Sequence, residues 1–184
     1  MTRNFALPGR SPIYASESAV ATSHALATTT ALTILKEGGN AVDAAIAASA
    51  TLCVVEPHMT GVGGDCFAIV GEPNGKLHGL NGSGRSAKGA NLDWYLENGF
   101  SKFEETSPHV VTSPGSVNAW ETMHQKFGKT DFVRLFADAI HYAEEGFAVA
   151  PRVASDWADN VEKLKKNEAA SVNLLKNGAS PKVG

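Results

Sequence analysis

One arginine in the middle of the chain is the residue best suited to recognise an acidic substrate. Residues 81–88 read NGSGRSAK, which places Arg85 in a flexible, polar segment. A guanidinium group binds a carboxylate through two parallel, charge-assisted hydrogen bonds, so Arg85 is a candidate substrate contact. The alternative is a surface residue or a structural ion pair, which is common and contributes little. The residue type alone leaves both interpretations open.

Two other sets of side chains could take part in nucleophilic or acid–base chemistry. A threonine nucleophile uses a free α-amine as its own base, and Thr22-Ser23-His24 lies inside the chain, so helix capping is its expected role. His58 could pair with Asp65 as an acid–base set, but a loop histidine is more often structural and no nucleophile accompanies it. We therefore expect no catalytic residue in this chain.

A glycine loop, GVGG at residues 61–64, has the composition of a phosphate-binding loop. It follows a predicted helix and enters a predicted strand, which is the reverse of the strand–loop–helix order that a dinucleotide site requires. We expect its glycines to let the backbone pass close to its neighbours. A border of a substrate cleft is the second interpretation, and no cofactor is expected.

Glycine, proline and capping signals divide the chain into short elements. Asn40, with Asp43 three residues later, resembles a capping box, and residues 41–50 are so uniformly small and apolar that their helix should be buried. The sequence predicts an early strand over 15–20, helices over 23–36 and 40–54, strands over 65–71 and 76–80, and helices over 92–98, 114–127, 130–145 and from Pro151 onward.

Several of these segments together resemble the amino-terminal signature of the γ-glutamyltransferase family. The segments are GGNAVDAAIAA at 38–48, EPHMTGVGGD at 56–65, SPGSV at 113–117 and AIHYAEEGFAV at 139–149. They occur in the family's order and approximate spacing, and ATSHALA at 21–27 also fits. The resemblance covers nearly the whole chain, which is therefore identified as the amino-terminal portion of a large subunit, 1–184, with no internal domain boundary.

This resemblance implies an N-terminal nucleophile hydrolase, made as a precursor that cleaves itself into a large and a small subunit. The implied fold is α+β, an αββα sandwich that is incomplete here. The implied activity is hydrolysis or transfer at an amide bond, by a threonine that begins the small subunit and lies outside this chain. The expected partners are a small-molecule amide and the missing remainder of the same precursor. The alternative is a truncated, non-catalytic relative that acts as a structural or partner-binding module.

The arginine segment departs from the pattern of the true transpeptidases. In those relatives an arginine in an Asp-Phe-Arg-like run holds the glutamyl carboxylate, and alignment on Ala87-Lys88 places Gly82 at that position. Arg85 lies three residues later, so it replaces the lost function only if the loop shifts. The segment looks more like the amidohydrolase branch of the family, which includes oxamate amidohydrolases and cephalosporin-acylase-like enzymes.

Composition limits the remaining possibilities. The 184 residues carry 19 acidic and 16 basic side chains, a net charge of −3, which favours neither nucleic acid nor an anionic membrane as partner. Residues 1–10 lack the apolar core of a signal peptide, so we expect a cytoplasmic protein, or an exported one if a leader has been removed. Cys53 and Cys66 should be buried free thiols, and no ligand spacing predicts a metal site.

Overall fold

The computed structural model describes residues 12–184, which mix helices with one small sheet. The prediction of an α+β fold is confirmed at this level. The described residues form the strands β1 (Cys66–Gly71) and β2 (Leu77–Gly82) and the helices α1 (Ala25–Lys36), α2 (Ala41–Val55), α3 (Leu92–Glu97), α4 (Ser116–Phe127), α5 (Ala137–Glu145), α6 (Pro151–Asp159), α7 (Val161–Leu164) and α8 (Glu168–Leu174). The prediction about a leader at residues 1–10 lies outside the described residues.

Contacts between residues divide the described chain into two compact units. The first combines residues 12–61 with 129–184, and the second contains residues 62–128. Each is described separately below. The expectation that residues 1–184 are one portion of a large subunit without an internal domain boundary stays a prediction.

The core of the first unit is a pair of packed helices, α1 and α2, with α5 against α2. As its composition predicts, α2 is buried along most of its length, with Ile46 and Ala47 fully inaccessible. Side chains this small let helix backbones approach closely, and Ile34, Ile46 and Leu135 are the largest fully buried side chains among the described residues of this unit. Thr30 Oγ1 donates to Asp138 Oδ2 at 2.8 Å, which adds a polar contact from α1 to α5.

The predicted capping box at the start of α2 is confirmed. Asn40 Oδ1 accepts from the backbone N–H groups of Val42 and Asp43, and the Asp43 carboxylate accepts from the Asn40 N–H at 2.9 Å. The same carboxylate also accepts from the backbone of Lys129 and Thr130. One local cap therefore also joins α2 to a distant segment of its own unit.

The second unit is built on an antiparallel hairpin packed against α4. Its register pairs Cys66 with Gly82 and Gly71 with Leu77, across a turn in which Gly75 has a φ of 85°. One face of the hairpin is half-buried, and α4 packs on the sheet through its own buried side chains. These α4 residues, Ala119, Trp120 and Met123, follow the three- and four-residue spacing of one helical face.

The other face of the hairpin is apolar and exposed. Phe67 is 64% exposed, Ile69 is 80% exposed and Leu77 is 71% exposed. Side chains alternate between the faces of a strand, so these residues share the face opposite to α4. A single free-standing hairpin with such a face is only marginally stable in water.

Several predicted elements differ from the structure. Residues 15–20 form no strand, because no other strand in residues 12–184 pairs with them. Helix α4 begins at Ser116, with Gly115 as the residue before it and no side-chain cap. The α5 helix begins at Ala137, after a 3₁₀ turn over Val133–Phe136, and the helix opened by Pro151 breaks at Asn160.

No helix within residues 12–184 has the length and apolar character needed to cross a bilayer.

Candidate functional site

The strongest candidate site lies in the second unit, where two segments without regular secondary structure meet. We call residues 81–88, which begin at the end of β2, the arginine loop. We call residues 112–115, which lead into α4, the strap. A strand end and a helix start are rigid, so the two elements fix one end of each segment.

Two hydrogen bonds attach the strap to the arginine loop. The backbone N–H of Ser113 donates to the carbonyl oxygen of Arg85 at 2.9 Å. The hydroxyl of Thr112 donates to the carbonyl oxygen of Ser83 at 2.7 Å. These bonds hold the two residues that flank Gly84, so the backbone on both sides of this glycine is fixed to the strap.

Glycine is required at Gly84 because of this contact. Its φ is +77°, a conformation that other residues rarely adopt, and a Cβ built there would lie 1.8 Å from the carbonyl oxygen of Ser113. Gly82 and Gly115 meet in the same way, since a Cβ on Gly115 would lie 2.1 Å from the Gly82 oxygen. The loop and the strap therefore interlock through their backbones.

The strap is itself anchored by the glycine loop. The N–H groups of Gly115 and Ser116 both donate to the carbonyl of Gly64, at 3.0 and 3.1 Å. The Ser116 hydroxyl donates to the Val62 carbonyl at 3.2 Å. The glycine loop is thus a structural support for the start of α4, and carbonyl oxygens face the helix start where an anion would need N–H donors.

The predicted reason for the glycines of this loop is wrong at two positions. A Cβ at Gly61 or Gly63 would meet no atom within 4 Å, so neither residue is needed for a close backbone approach. Close approach is instead found at Gly82, Gly84 and Gly115. The crowding therefore lies in segments for which the sequence did not predict it.

Arg85 is exposed, and no acidic side chain of the part of the chain described here forms an ion pair with it. The ion-pair alternative therefore has no support in this region. An exposed guanidinium on a backbone held at both sides can bind a carboxylate through a two-point contact. Its role as a substrate contact stays a prediction.

The Thr22-Ser23-His24 segment does cap α1. The capping group is the imidazole of His24 and not a threonine or serine hydroxyl. His24 Nδ1 accepts from the Leu26 N–H at 3.2 Å, while Thr22 Oγ1 donates to the His24 carbonyl and Ser23 Oγ donates to Glu56 Oε2. Burial lowers the pKa of His24, and the nearby Glu56 carboxylate opposes this shift only in part. A neutral, buried imidazole fits a structural cap.

His58 is placed against an acidic residue that the sequence did not suggest. Its Nε2 lies 3.4 Å from Asp156 Oδ2, and Arg152 Nε donates to the same oxygen at 2.6 Å. The side chain of His58 is only 7% exposed. Because Asp156 is far along the chain on α6, no local pattern could have revealed this contact.

The two cysteines are free, as predicted, but only half-buried. Burial raises the pKa of both thiols, and neither Thr60 beside Cys53 nor Trp120 beside Cys66 reverses the shift. A raised pKa disfavours the thiolate, which is the reactive form. No cluster of three or more His, Cys, Asp or Glu side chains within residues 12–184 could hold a metal ion.

The chain matches the model of a known protein family over most of its length. The family model described as gamma-glutamyltranspeptidase matches residues 27–184. The oxamate amidohydrolase proenzyme of Klebsiella pneumoniae is 37% identical over 167 residues, and the glutathione hydrolase proenzyme of Bacillus subtilis is 36% identical over 170. These alignments cover 88% and 90% of this chain.

The similarity extends to three-dimensional structure. The crystal structure of Helicobacter pylori gamma-glutamyltranspeptidase superposes with a TM-score of 0.86 at 29% identity, covering 94% of this chain and 51% of that one. The chain spans only 31% of the length of the Klebsiella relative and 29% of the Bacillus relative.

Proposed function

This chain belongs to the gamma-glutamyltranspeptidase family, and from that membership we propose that it forms part of an enzyme that cleaves an amide whose acid portion carries a carboxylate. Amide hydrolysis, or transfer of the acyl group to an amine, is the reaction class. The observation that carries the proposal is Arg85, an exposed guanidinium without an ion pair in the described region, on a loop whose backbone the strap holds.

Two relatives support this substrate class by their names. One is named for oxamate and the other for glutathione. Oxamate is a primary amide bonded directly to a carboxylate, and glutathione contains a γ-glutamyl amide with carboxylates at a greater distance. The guanidinium of Arg85 can bind a carboxylate of either compound. The name of the Klebsiella relative makes oxamate, the shorter acid amide, the first substrate to test.

We assign no catalytic residue to this chain. The nucleophile is proposed to be a threonine of the same precursor, outside these residues, that self-cleavage exposes with a free α-amine as its base. Its hydroxyl gives its proton to the α-amine and attacks the amide carbonyl, and hydrogen-bond donors stabilise the resulting oxyanion. The C–N bond then breaks, the leaving amine or ammonia takes the proton, and the threonine ester passes its acyl group to water or to another amine. The names of the Klebsiella and Bacillus relatives, both proenzymes, support processing of this kind.

The partner of this chain is proposed to be the remainder of its own precursor. The exposed apolar face of the hairpin supports this proposal, because Phe67, Ile69 and Leu77 would be covered by a second layer. Such a layer is what the αββα sandwich requires, with helices on the outer faces of two packed sheets. The described residues supply one helix-covered hairpin of that arrangement.

Replacing Arg85 by glutamine tests the carboxylate contact. The Arg85→Gln enzyme, expressed from the complete gene, should show a KM for oxamate raised about ten- to a hundredfold, because a charge-assisted contact is lost. Oxamide has the same amide but no carboxylate, so its KM should stay nearly unchanged. Lys88→Gln, on the same exposed loop, is the matched control for loss of a positive charge.

Equal effects of Arg85→Gln on oxamate and oxamide would contradict a carboxylate contact. An unchanged KM for oxamate in the Arg85→Gln enzyme would also contradict it.

A further inference from the structure

We propose that Thr112 is a positioning residue that holds Arg85 where its guanidinium can meet the substrate carboxylate. The inference rests on the proposed function, because it concerns the same carboxylate contact. It adds a residue that acts through Arg85 and touches no substrate itself.

The first step is that no regular secondary structure holds Arg85. The arginine loop belongs to no helix or strand from Ser83 onward, and Arg85 is exposed. A long, exposed side chain samples many orientations, and ordering it on binding costs conformational entropy. The accuracy of a two-point contact then depends on what fixes the backbone of the loop.

The second step is that the two bonds from the strap lie on either side of a flexible residue. The Thr112 hydroxyl holds the carbonyl of Ser83 and the Ser113 N–H holds the carbonyl of Arg85. Gly84 stands between these anchors with a φ of +77°. Glycine has the largest conformational freedom of any residue, so loss of one anchor frees the segment on which Arg85 is carried.

The third step is that, of the two hydrogen bonds described above from the strap to the arginine loop, the Thr112 bond is the one made by a side chain. The Ser113 bond comes from the backbone, and the contacts at Gly84 and Gly115 are steric. The strap is fixed in turn by Gly64, so it is a firm support for the hydroxyl. Thr112 is exposed, and its substitution therefore removes one hydrogen bond without opening a cavity in the core.

The consequence is a selective effect on substrates that carry a carboxylate. When the hydroxyl of Thr112 is removed, Arg85 keeps its charge but loses part of its fixed orientation. Binding of a carboxylate should weaken, whereas binding of a neutral amide should not change. A purely structural role for Thr112 would affect both kinds of substrate equally.

The test compares Thr112→Val with Thr112→Ser in the enzyme expressed from the complete gene. Valine keeps the branched shape without the hydroxyl, and serine keeps the hydroxyl. For Thr112→Val we expect the KM for oxamate to rise about three- to tenfold, the size of one neutral hydrogen bond, with kcat nearly constant. The KM for oxamide should not move, and Thr112→Ser should restore the KM for oxamate. Thermal unfolding of each variant checks the fold.

Testing Thr112→Val in the Arg85→Gln enzyme distinguishes failure of this inference from failure of the proposed function. In Arg85→Gln enzyme, Thr112→Val should have no further effect on the KM for oxamate, because there is no guanidinium left to position. If Arg85→Gln itself leaves the preference for oxamate intact, the proposed carboxylate contact fails and this inference fails with it. Suppose instead that Arg85→Gln abolishes the preference for oxamate over oxamide. If Thr112→Val then leaves the KM for oxamate unchanged, or raises it equally with and without Arg85, only the positioning role of Thr112 is overturned.

Discussion

At the scale of single residues, His24 shows how a buried titratable group is used for structure. It is 5% exposed, caps α1 through Nδ1, and has no hydrogen-bond partner at Nε2 within the described residues. A ring that accepts through Nδ1 must be neutral, since both nitrogens of a charged imidazole are donors. Protonation would therefore remove the cap and place a charge in a buried site, which the Glu56 carboxylate offsets only in part.

This makes the stability of the protein depend on pH through His24. Because the pKa of His24 is lowered in the folded state, the unfolded chain binds more protons as the pH falls below about 6.5, the ordinary histidine value. The contribution is complete above that pH and is lost as the pH falls toward the folded pKa. The free energy of unfolding should therefore decrease between pH 7.5 and pH 5.

Denaturant unfolding of His24→Asn measures this contribution. Asparagine is a good N-cap and does not titrate, so the variant should keep its stability at pH 7.5 and show a flatter pH dependence than the unsubstituted protein. His24→Ala, without a cap, should lose about 1 kcal/mol at pH 7.5. A pH dependence in His24→Asn as steep as in the unsubstituted protein would show that another group is responsible.

At the scale of elements, Asp43 joins α2 to the segment that begins at Lys129. Its side chain is fully buried and accepts from three backbone N–H groups: that of Asn40 at 2.9 Å, that of Lys129, which is shared between the two carboxylate oxygens at 3.1 and 3.2 Å, and that of Thr130 at 3.1 Å. A buried carboxylate is tolerated when N–H donors surround it, and the helix start adds a favourable dipole.

Asp43→Asn should be strongly destabilising. The amide NH₂ that replaces one oxygen is a donor facing other donors, so buried N–H groups lose their acceptor. We expect the free energy of unfolding to fall by about 3 kcal/mol, measured in urea at neutral pH. Asp159→Asn, on the exposed end of α6, is the matched control and should change it by less than about 0.5 kcal/mol.

A loss below about 1 kcal/mol in Asp43→Asn would mean that the two elements are held mainly by apolar packing.

At the scale of the whole molecule, the exposed hairpin face is the feature that the described residues leave unexplained. Phe67, Ile69 and Leu77 form an apolar surface on the side of the sheet opposite to α4. The relatives are about three times longer than this chain, so additional polypeptide is available in them to cover such a face. Both features support the proposed association with the remainder of the precursor.

Intact-mass analysis with amino-terminal sequencing tests that association on protein purified from its native cells. We expect a second, co-purifying polypeptide whose first residue is threonine. Phe67→Ser combined with Ile69→Thr should weaken its retention, because apolar contact area is lost. Val172→Thr, which changes an exposed apolar side chain on α8, is the control. Recovery of this chain alone would support a non-catalytic, partner-binding module instead.

Local signals in the sequence determined much of the secondary structure. The capping box at Asn40 and Asp43 and the hairpin turn ending at Gly75 were predicted because each depends on residues only a few positions apart. The burial of α2 followed from its composition. The resemblance also identified the family, because several segments in the family's order are far more specific than one glycine pattern.

Tertiary contacts decided the rest. Helix α4 begins at Ser116 and not at Pro114, and the Gly64 carbonyl, from another segment, accepts from the N–H groups of Gly115 and Ser116 at its start. Residues 15–20 formed no strand because strands require a partner, and α5 began late behind a 3₁₀ turn. The sequence by itself marked Arg85 as a candidate through its chemistry. Only the fold brought Thr112 and Ser113 to the carbonyls on either side of Gly84, because a hydrogen bond between segments depends on distance in space and not on distance along the chain.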